Sequence, residues 1–366
     1  MVNERLYLLE ILRFFAAFTI MYGHFIVHYI FFDIDFQKGF FPLFHNPYGS
    51  LAVPFFFMMS GAIFAMKYGK TILSNNISIY NFTLRRIARL YPLHIATLLV
   101  VALTQFYIFN ISGKYYYIEN NDTYHFMLNL FFASDWGLQK GNSFNSPFWS
   151  VSHEFLIYII FYFVCRNKIF RTKPIWQKYL SFLLLIFLLR HSEHGGFINL
   201  LIIKIPFYDL VFQSMFTFFG GALLYEFTIY FNTKYKGYIK YLFIILILVI
   251  AYISSNQVKA EGISFGTLGY SILFLSLLFD LNYKEGVSKF YQNISIYLGG
   301  VSYSIYLIHM PIVFIMGLIQ IKYNYFNMLG LYTLLFYLVF CLILGYISFA
   351  YFEKPLQKKI INIFSK

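Results

Sequence analysis

Long apolar runs separated by short polar breaks recur along the chain from residue 7 to residue 350. A helix needs about 20 predominantly apolar residues to cross the hydrocarbon core of a bilayer. The runs therefore predict ten membrane-spanning helices, near residues 7–31, 49–67, 90–110, 149–165, 178–190, 211–231, 241–258, 264–282, 294–318 and 328–350. The fifth run is the shortest, since about 13 residues separate Lys178 from His191. We expect this helix to extend beyond the run or to be partly re-entrant.

The composition agrees with a membrane protein. The 366 residues are 60% hydrophobic and 12% charged, and the mean hydropathy is +0.64, which is far from the balance of a soluble domain. No segment remains for a separate soluble part, so we expect residues 1–366 to form one all-α polytopic membrane domain. The first span is expected to be retained, because the N-terminal residues lack the basic start and the cleavage site of a signal peptide.

The positions of lysine and arginine predict the orientation, because positive residues collect in the cytoplasmic loops of membrane proteins. With a cytoplasmic N-terminus, 21 of the 28 lysines and arginines fall on the cytoplasmic side. Both termini are therefore predicted to be cytoplasmic. The net charge of +13 reflects this topology, so lipid is the expected surrounding and no nucleic-acid partner is predicted. Residues 123–134 are too short to cross and are expected to lie along the interface or to pack back into the domain.

The first span carries ionisable residues that an apolar helix ordinarily excludes. Eleven residues separate Arg13 from His24, which places both side chains on one helix face about 16 Å apart along the axis, where they could line one passage. Glu10 lies on that face and can neutralise Arg13. The alternatives are an interfacial Glu10–Arg13 pair and a purely structural His24. His28 completes a two-histidine metal spacing, but no third ligand accompanies it and no metal site is predicted.

Arginines stand at the entrance to the third span, in "LRRIARLYPLH". Arg85 and Arg89 share a helix face, and Arg86 lies next to them. Guanidinium groups bind phosphate oxygens in pairs, so the cluster is a candidate phosphate clamp. Ordinary anchoring of the helix at the cytoplasmic interface is the alternative.

Two later spans also carry polar groups. In "SPFWSVSHEF" the carboxylate of Glu154 is costly near the membrane unless it is paired or wet, so it is either functional or a cap of the helix start. In "LGGVSYSIYLIHMP" a glycine pair is followed by hydroxyl groups, by His309 and by the helix-bending Pro311. The earlier "VPFFFMMSGAIFA" contains Ser60 and Gly61, which favour close helix packing.

Other sites are excluded by what the sequence lacks. It contains no phosphate loop, no nucleophile elbow and no His-Glu-x-x-His helix. Cys165 and Cys341 lack metal-type spacing and are interpreted as packing residues. No convincing inverted repeat of interrupted helices is present, which weakens a secondary-transporter interpretation.

Taken together, these stretches resemble the acyltransferase 3 family of integral membrane acyltransferases, from residue 5 to about residue 356. The first span resembles the family's in its acidic residue, its arginine and a histidine eleven residues after the arginine. The stretches "FFFMMSG", "RRIARLYP", "WSVSHE", "SYSIYLIHMP" and "YFEKP" are similar to further family motifs, in family order. Two departures stand out. Glu154 is followed by Phe155, where the family often has a second acidic residue. The chain also ends about 16 residues beyond the last span, so no appended extracytoplasmic hydrolase-like domain is expected.

The resemblance implies transfer of an acyl group, most often acetyl, from cytoplasmic acyl-CoA to a hydroxyl of a cell-surface carbohydrate. Acetyl-CoA or another acyl-CoA would be the donor, without a metal. A surface polysaccharide or a lipid-linked glycan would be the acceptor, and the bacterial cytoplasmic membrane the location. The bias towards Phe, Tyr, Ile, Asn and Lys with little Ala also indicates a bacterial source with an AT-rich genome.

The resemblance also implies roles for single residues. His24 would be the general base or a transient acyl acceptor, Glu154 would orient His24 or the acceptor sugar, and Arg13 would bind the thioester oxygen or pantetheine. The coenzyme's phosphates would meet the arginines at residues 85, 86 and 89. The remaining motif residues are expected to support the site or to contact substrate: Glu10, Trp149, Ser152, Ser302, Tyr303 and His309.

Two other functions fit a polytopic helical bundle. A transporter or exporter of a glycan or glycolipid could use an aromatic-rich interior to carry sugars, and a non-catalytic component of a polysaccharide assembly machine would need no chemistry at all. The sequence leaves open the modified sugar, the acyl group and the oligomeric state.

Overall fold

The computed structural model describes residues 6–30, 49–167, 174–195, 209–235, 241, 244–249, 263–282, 287–323 and 331–365. Regular structure within these residues is helical throughout, without a strand. The helices are α1 (Tyr7–Ile30), α2 (Gly49–Phe64), α3 (Lys70–Leu73), α4 (Ile79–Ser112), α5 (Thr123–Leu130), α6 (Phe148–Arg166), α7 (Ile175–Gly195), α8 (Asp209–Lys234), α9 (Ile263–Asn282), α10 (Lys289–Tyr323), α11 (Leu331–Ile347) and α12 (Lys354–Phe364). Two π-helical segments, Ala65–Gly69 and Ser348–Glu353, follow α2 and α11.

Seven helices in the described part of the chain are long and apolar enough to cross a membrane. They confirm an all-helical, multi-pass membrane protein. Two shorter apolar helices, Ile175–Leu188 and Leu268–Asn282, coincide with the predicted fifth and eighth spans. Most of the predicted seventh span, residues 241–258, lies outside the described residues, so the count of ten and the cytoplasmic termini stay predictions.

Helix α7 has 21 residues and is therefore longer than its apolar run. Lys178, near the N-terminal end of this helix, forms its hydrogen bonds inside the protein. Lys178 is 2% exposed, and its Nζ donates to the carbonyl oxygens of Cys165, at 2.8 Å, and Asn167, at 3.4 Å. These carbonyls lie at the C-terminal end of α6, where helical acceptors lack partners and a cation is favoured. The lysine that interrupts the apolar run therefore caps the preceding helix.

Contacts between Cα atoms divide the chain into two compact units. The first comprises Met1–Ala16, Ser50–Ser78 and Ile157–Gly299, and the second comprises Ala17–Gly49, Ile79–Leu156 and Gly300–Lys366. Helices α1, α6 and α10 contribute residues to both.

Close helix packing organises the first unit. A Cβ at Gly61 of α2 would collide with the carbonyl oxygen of Phe218 in α8, and a Cβ at Gly221 would collide with the carbonyl oxygen of Met58. The two glycines therefore allow the backbones of α2 and α8 to touch. This confirms the close approach predicted from Ser60 and Gly61.

The N-terminus of α1 is capped by a carboxylate from α9 in the same unit. Asp280 is 4% exposed, and its Oδ1 and Oδ2 accept hydrogen bonds from the backbone N–H groups of Leu8, at 2.9 Å, and Leu9, at 3.2 Å. The first N–H groups of a helix have no intrahelical partner, and the positive end of the helix dipole favours an anion. Leu6, the residue before the helix, offers no polar cap, so the tertiary structure supplies one.

In the second unit, α4 and α10 enclose a core with residues of the segment 113–147. This core contains Leu98, Val101, Ile118, Phe144, Met310 and Phe314. The Gln105 side chain holds the segment by two hydrogen bonds to Tyr116, donating to its carbonyl at 2.8 Å and accepting from its N–H at 2.9 Å. Helix α5 buries His125 and Asn129 completely. Of the two alternatives for residues 123–134, packing back into the domain is therefore confirmed.

Asp280→Ala should lower the free energy of unfolding by about 2 kcal/mol, because two N–H groups of the first turn of α1 lose the carboxylate that accepts from them. Asp280→Asn keeps one acceptor oxygen and should lose less. Thermal unfolding of the purified protein in detergent measures both, with Glu119→Ala as a control that removes an exposed carboxylate. Equal melting temperatures for Asp280→Ala and the wild type would show that this cap does not stabilise the protein.

Candidate functional site

The second unit brings His24 of α1 and His309 of α10 together. His24 Nδ1 lies 2.8 Å from His309 Nε2, and the two rings are nearly parallel, with centroids 5.1 Å apart. His309 is fully buried, and its Nδ1 lies 3.3 Å from the carbonyl oxygen of Ile305. A carbonyl oxygen can only accept, so His309 Nδ1 carries the proton and its Nε2 offers a lone pair. His24 Nδ1–H then donates to that lone pair, and His24 Nε2 is left as a basic nitrogen.

A proline lies in the helix turn that carries His309. Pro311 has no N–H, so the carbonyl of Leu307, four residues earlier, loses its helical partner. Asn145 replaces it: its Nδ2 donates to the Leu307 oxygen at 3.1 Å, and its side chain is buried, with Oδ1 unpartnered among the described residues. The sequence analysis missed Asn145. A proline inside a predicted span was the clue, because it calls for a donor from elsewhere.

A second polar group joins α6 and α10 in this unit. The hydroxyl of Tyr306 donates to the carbonyl of Pro147 at 2.8 Å and lies 2.6 Å from Ser150 Oγ. Glu154 follows Ser150 by four residues on α6, and its carboxylate is close enough for its charge to act on the hydroxyls of Tyr303 and Tyr306. Glu154, predicted to orient His24 or the acceptor sugar, therefore lies within electrostatic range of the α10 motif.

Ser152 and His153 hold the segment 113–147 against α6. His153 is fully buried, and its Nε2 lies 2.9 Å from Asp135 Oδ2. Ser152 Oγ donates to the carbonyl of Phe132 at 2.6 Å. Phe132 has a backbone φ of +61°, which is strained for a bulky residue and needs such support. Trp149 packs edge-on against His153, so the three motif residues 149, 152 and 153 serve the attachment of this segment.

Arg89 of α4 is held by several groups of the second unit. Its Nη1 donates to Glu353 Oε2 and its Nη2 to the carbonyl of Gly300, each at 3.2 Å. Its guanidinium also lies 5.2 Å from the ring centre of Tyr303, whose hydroxyl donates to the carbonyl of Leu90 at 2.7 Å. These contacts join the start of α4 to the glycine and tyrosine of the α10 motif.

The π-helical segment after α11 places the partner of Arg89. Glu353 is its last residue, is 2% exposed, and accepts hydrogen bonds from Ser304 and, at 3.0 Å, from Ser348. π-Helical turns add a residue to a helix and often occur at functional sites. Glu353 belongs to the quoted motif "YFEKP" but was not predicted as a site residue. Glu353 lies three residues beyond the predicted last span, so the rule for carboxylates inside a span did not point to it.

Of the other two arginines of α4, Arg85 is more exposed than Arg89, and Arg86 is half-buried like it. Both stand near the N-terminal end of the 34-residue α4, and Arg85 shares a helix face with Arg89.

Glu10 and Arg13 lie in the first unit and form the ion pair that their spacing predicts. Arg13 Nη1 is 3.1 Å from Glu10 Oε2. Gly299 of the α10 motif makes room for this pair, because a Cβ there would collide with the Glu10 carboxylate. Arg13 Nε is buried without a hydrogen-bond partner among the described residues, which leaves one donor of this side chain for another group.

Not every predicted residue is part of these groups. Helix α1 is uninterrupted from Tyr7 to Ile30, as the predicted common face of Arg13 and His24 requires. Ser302 is fully buried in α10. The side chain of His28 lies outside the described residues. Within the part of the chain that the structure describes, no group of three or more His, Cys, Asp or Glu side chains could hold a metal ion.

Arg89→Ala and Glu353→Ala should each lower the free energy of unfolding by about 2 to 3 kcal/mol, because each leaves a largely buried charge unpaired. The double variant should cost less than the sum of the two, since it leaves neither charge behind. Thermal unfolding of the four proteins gives the coupling energy. Arg85→Ala, which removes an exposed guanidinium from the same helix, should melt like the wild type, and strictly additive losses would contradict the pair.

The comparisons with known proteins agree with these motifs. Residues 6–350 match the acyltransferase 3 family, which is described as an acyltransferase domain. No curated protein and no solved structure matches the chain. The family match covers nearly all of the 366 residues, and the chain therefore belongs to the acyltransferase 3 family of membrane acyltransferases.

Proposed function

We propose that this protein transfers an acyl group, most simply acetyl, from acyl-CoA to a hydroxyl of a cell-surface or exported polysaccharide in a bacterial cytoplasmic membrane. One observation carries the proposal: His24 Nδ1 lies 2.8 Å from Nε2 of the fully buried His309, which leaves the Nε2 of His24 to take up a proton. A histidine prepared in this way is a general base.

The reaction uses the lone pair on Nε2 of His24. The acceptor oxygen attacks the thioester carbonyl carbon while His24 Nε2 takes the hydroxyl proton. The carbon–sulfur bond breaks, an ester forms on the acceptor, and His24 returns the proton to the departing thiolate. If His24 carries the acyl group transiently, the same Nε2 lone pair attacks first. In both routes His309 Nε2 accepts the Nδ1–H of His24 and stabilises the positive ring.

The arginines of α4 suit the phosphates of the acyl donor to different degrees. Arg85 has an exposed guanidinium and Arg86 a half-buried one, so we assign phosphate binding mainly to these two. Arg89 already donates to Glu353 and Gly300, and we assign it to holding the start of α4 against the α10 motif.

Two further residues keep the roles that the motifs imply. Arg13 has an unpartnered, buried Nε donor, which supports binding of the thioester oxygen or of pantetheine. Glu154 lies near Tyr303 and Tyr306, on the same unit as His24, which supports orientation of the histidine or of the acceptor hydroxyl.

His24→Ala should abolish acyl transfer, because it removes the nitrogen assigned to take the hydroxyl proton. His309→Leu should lower the rate roughly 100-fold, because His24 loses the acceptor that selects its tautomer. His309→Gln retains an acceptor oxygen and should recover part of that loss, with KM for acyl-CoA unchanged. Initial rates with radiolabelled acetyl-CoA, in membranes containing equal amounts of each variant, measure these effects.

The acylation state of the polysaccharide shows whether this reaction occurs in cells. NMR of surface polysaccharide from a deletion strain should lack acyl methyl signals, and the wild-type gene should restore them while His24→Ala should not. Normal acylation together with failed export in the deletion strain would replace the enzyme proposal with an exporter. Equal rates for His309→Leu and His309→Gln would contradict the tautomer argument alone.

A further inference from the structure

A cavity of about 240 Å³ opens at the C-terminal end of α4, where α5 begins. Its lining combines aromatic rings with polar groups: Phe106, Tyr115, Phe126, Phe144, Asp122 and Thr123. The floor is rigid, because Phe144 belongs to the buried core of the second unit and Phe126 packs against it. The volume is slightly below that of pockets for drug-sized molecules, so the cavity suits a single small ring.

The side-chain amides of Gln105 and Asn121 at this cavity form hydrogen bonds within the protein. Gln105 forms both of its hydrogen bonds with the backbone of Tyr116. Asn121 accepts from the N–H of Phe144 at 2.9 Å and donates to the carbonyl of Ile118. These hydrogen bonds hold the walls of the cavity in place.

Three other polar groups remain available. Asp122 uses Oδ1 to accept from the N–H of His125, at 2.8 Å, and from its ring Nδ1, at 2.7 Å. Its Oδ2 makes no hydrogen bond within the described residues, and the side chain is 60% exposed. The hydroxyls of Thr123 and Tyr115 are likewise unbonded in the part of the chain that the structure describes.

The Asp122 carboxylate is held ionised by its surroundings. The backbone N–H of His125 lowers the pKa of Asp122, and the His125 ring and the charge of Lys140 act in the same direction. An ionised carboxylate with a free oxygen is a strong acceptor for hydroxyl donors. Its fixed orientation, set by two hydrogen bonds to His125, lowers the entropy cost of binding.

These groups match the chemistry of a pyranose ring. A sugar ring offers several hydroxyl donors to a carboxylate, and further donors and acceptors to the hydroxyls of Thr123 and Tyr115. Its apolar C–H face can pack on an aromatic ring, and Phe106 provides one that is 65% exposed. An alkylammonium ion would also suit a carboxylate beside aromatic rings, but it has no use for two free hydroxyls.

The position of the cavity fits an acceptor and not a donor. Phe106 comes 20 residues after Arg86 in α4, which separates the two by about 30 Å along the helix. That distance is about the thickness of the hydrocarbon core. The cavity and the Arg85–Arg86 pair therefore stand near opposite ends of one membrane-spanning helix.

We propose that this cavity is a docking subsite for one pyranose unit of the acceptor saccharide, with Asp122 binding its hydroxyls and Phe106 packing on its ring. The subsite holds the polymer near the acyl-transfer centre without taking part in the chemistry. This inference rests on the proposed function for its biological meaning, but sugar binding can be measured without any acyl donor.

The direct test is saturation-transfer-difference NMR with methyl glycosides of the common hexoses and N-acetylhexosamines. The protein is placed in nanodiscs of phosphatidylethanolamine and phosphatidylglycerol, because the sugar headgroup of a maltoside detergent would compete. The wild type should transfer saturation to ring protons of at least one glycoside, and Phe106→Ala and Asp122→Asn should weaken binding roughly tenfold. Asp122→Asn keeps an acceptor for His125 and so preserves the start of α5.

Matched controls separate this subsite from the reaction centre. Leu103→Ala removes a side chain that is 69% exposed from the adjacent turn of α4 and should bind sugar like the wild type. His24→Ala should also retain sugar binding although it transfers no acyl group. In acyl-transfer assays, Asp122→Asn should raise KM for the polysaccharide roughly tenfold while kcat stays unchanged.

Two results would overturn the subsite. One is wild-type binding that Phe106→Ala and Asp122→Asn leave unaltered, or the absence of any binding. The other is saturation transfer to choline but to none of the glycosides, which would assign the cavity to an alkylammonium ligand. If the wild type binds the sugar but shows no acyl transfer, the proposed function is contradicted and this subsite still stands.

Discussion

Inside a bilayer no water is available to satisfy a polar group, so each one must find its partner within the protein. This constraint explains several of the polar residues in and beside the described spans. Asp280 supplies the acceptor that the first turn of α1 lacks. Lys178 supplies the donor for the last carbonyls of α6. Asn145 replaces the N–H that Pro311 removes from α10. In each case a side chain from one helix completes the backbone of another, and the partner is therefore also a packing constraint.

The same constraint shapes the site. His24 and His309 satisfy one another, and the carbonyl of Ile305 determines which nitrogen of His309 is protonated. The chain Ile305, His309, His24 passes hydrogen bonds in one direction and ends on a basic nitrogen. Arg89 and Glu353 likewise satisfy each other, as an ion pair. Two serines that donate to the same carboxylate, Ser304 and Ser348, satisfy its remaining lone pairs, which a buried ion pair requires.

Predictions from sequence succeeded where local pattern decides the outcome. Apolar length identified helices, and the glycine in "MMSG" identified a close helix contact. The i, i+3 spacing of Glu10 and Arg13 identified their ion pair. They fell short where a residue's partner is distant in the chain. Arg89 and Glu353 are separated by 264 residues, and no spacing rule connects them. Asn145 and Asp135 lie in a connecting segment that appears as an ordinary polar loop, although each bonds a spanning helix.

The sequence by itself determined that this is a helical membrane protein with the motifs of the acyltransferase 3 family, because hydrophobic length and local spacing are properties of the chain alone. Only the tertiary structure decided what each polar residue of those motifs does. His309 becomes a partner of His24, Arg89 becomes half of an ion pair, and Ser152 becomes an anchor for a strained loop. The physical reason is that a hydrogen bond depends on which atoms meet in space, and helices far apart in sequence bring those atoms together.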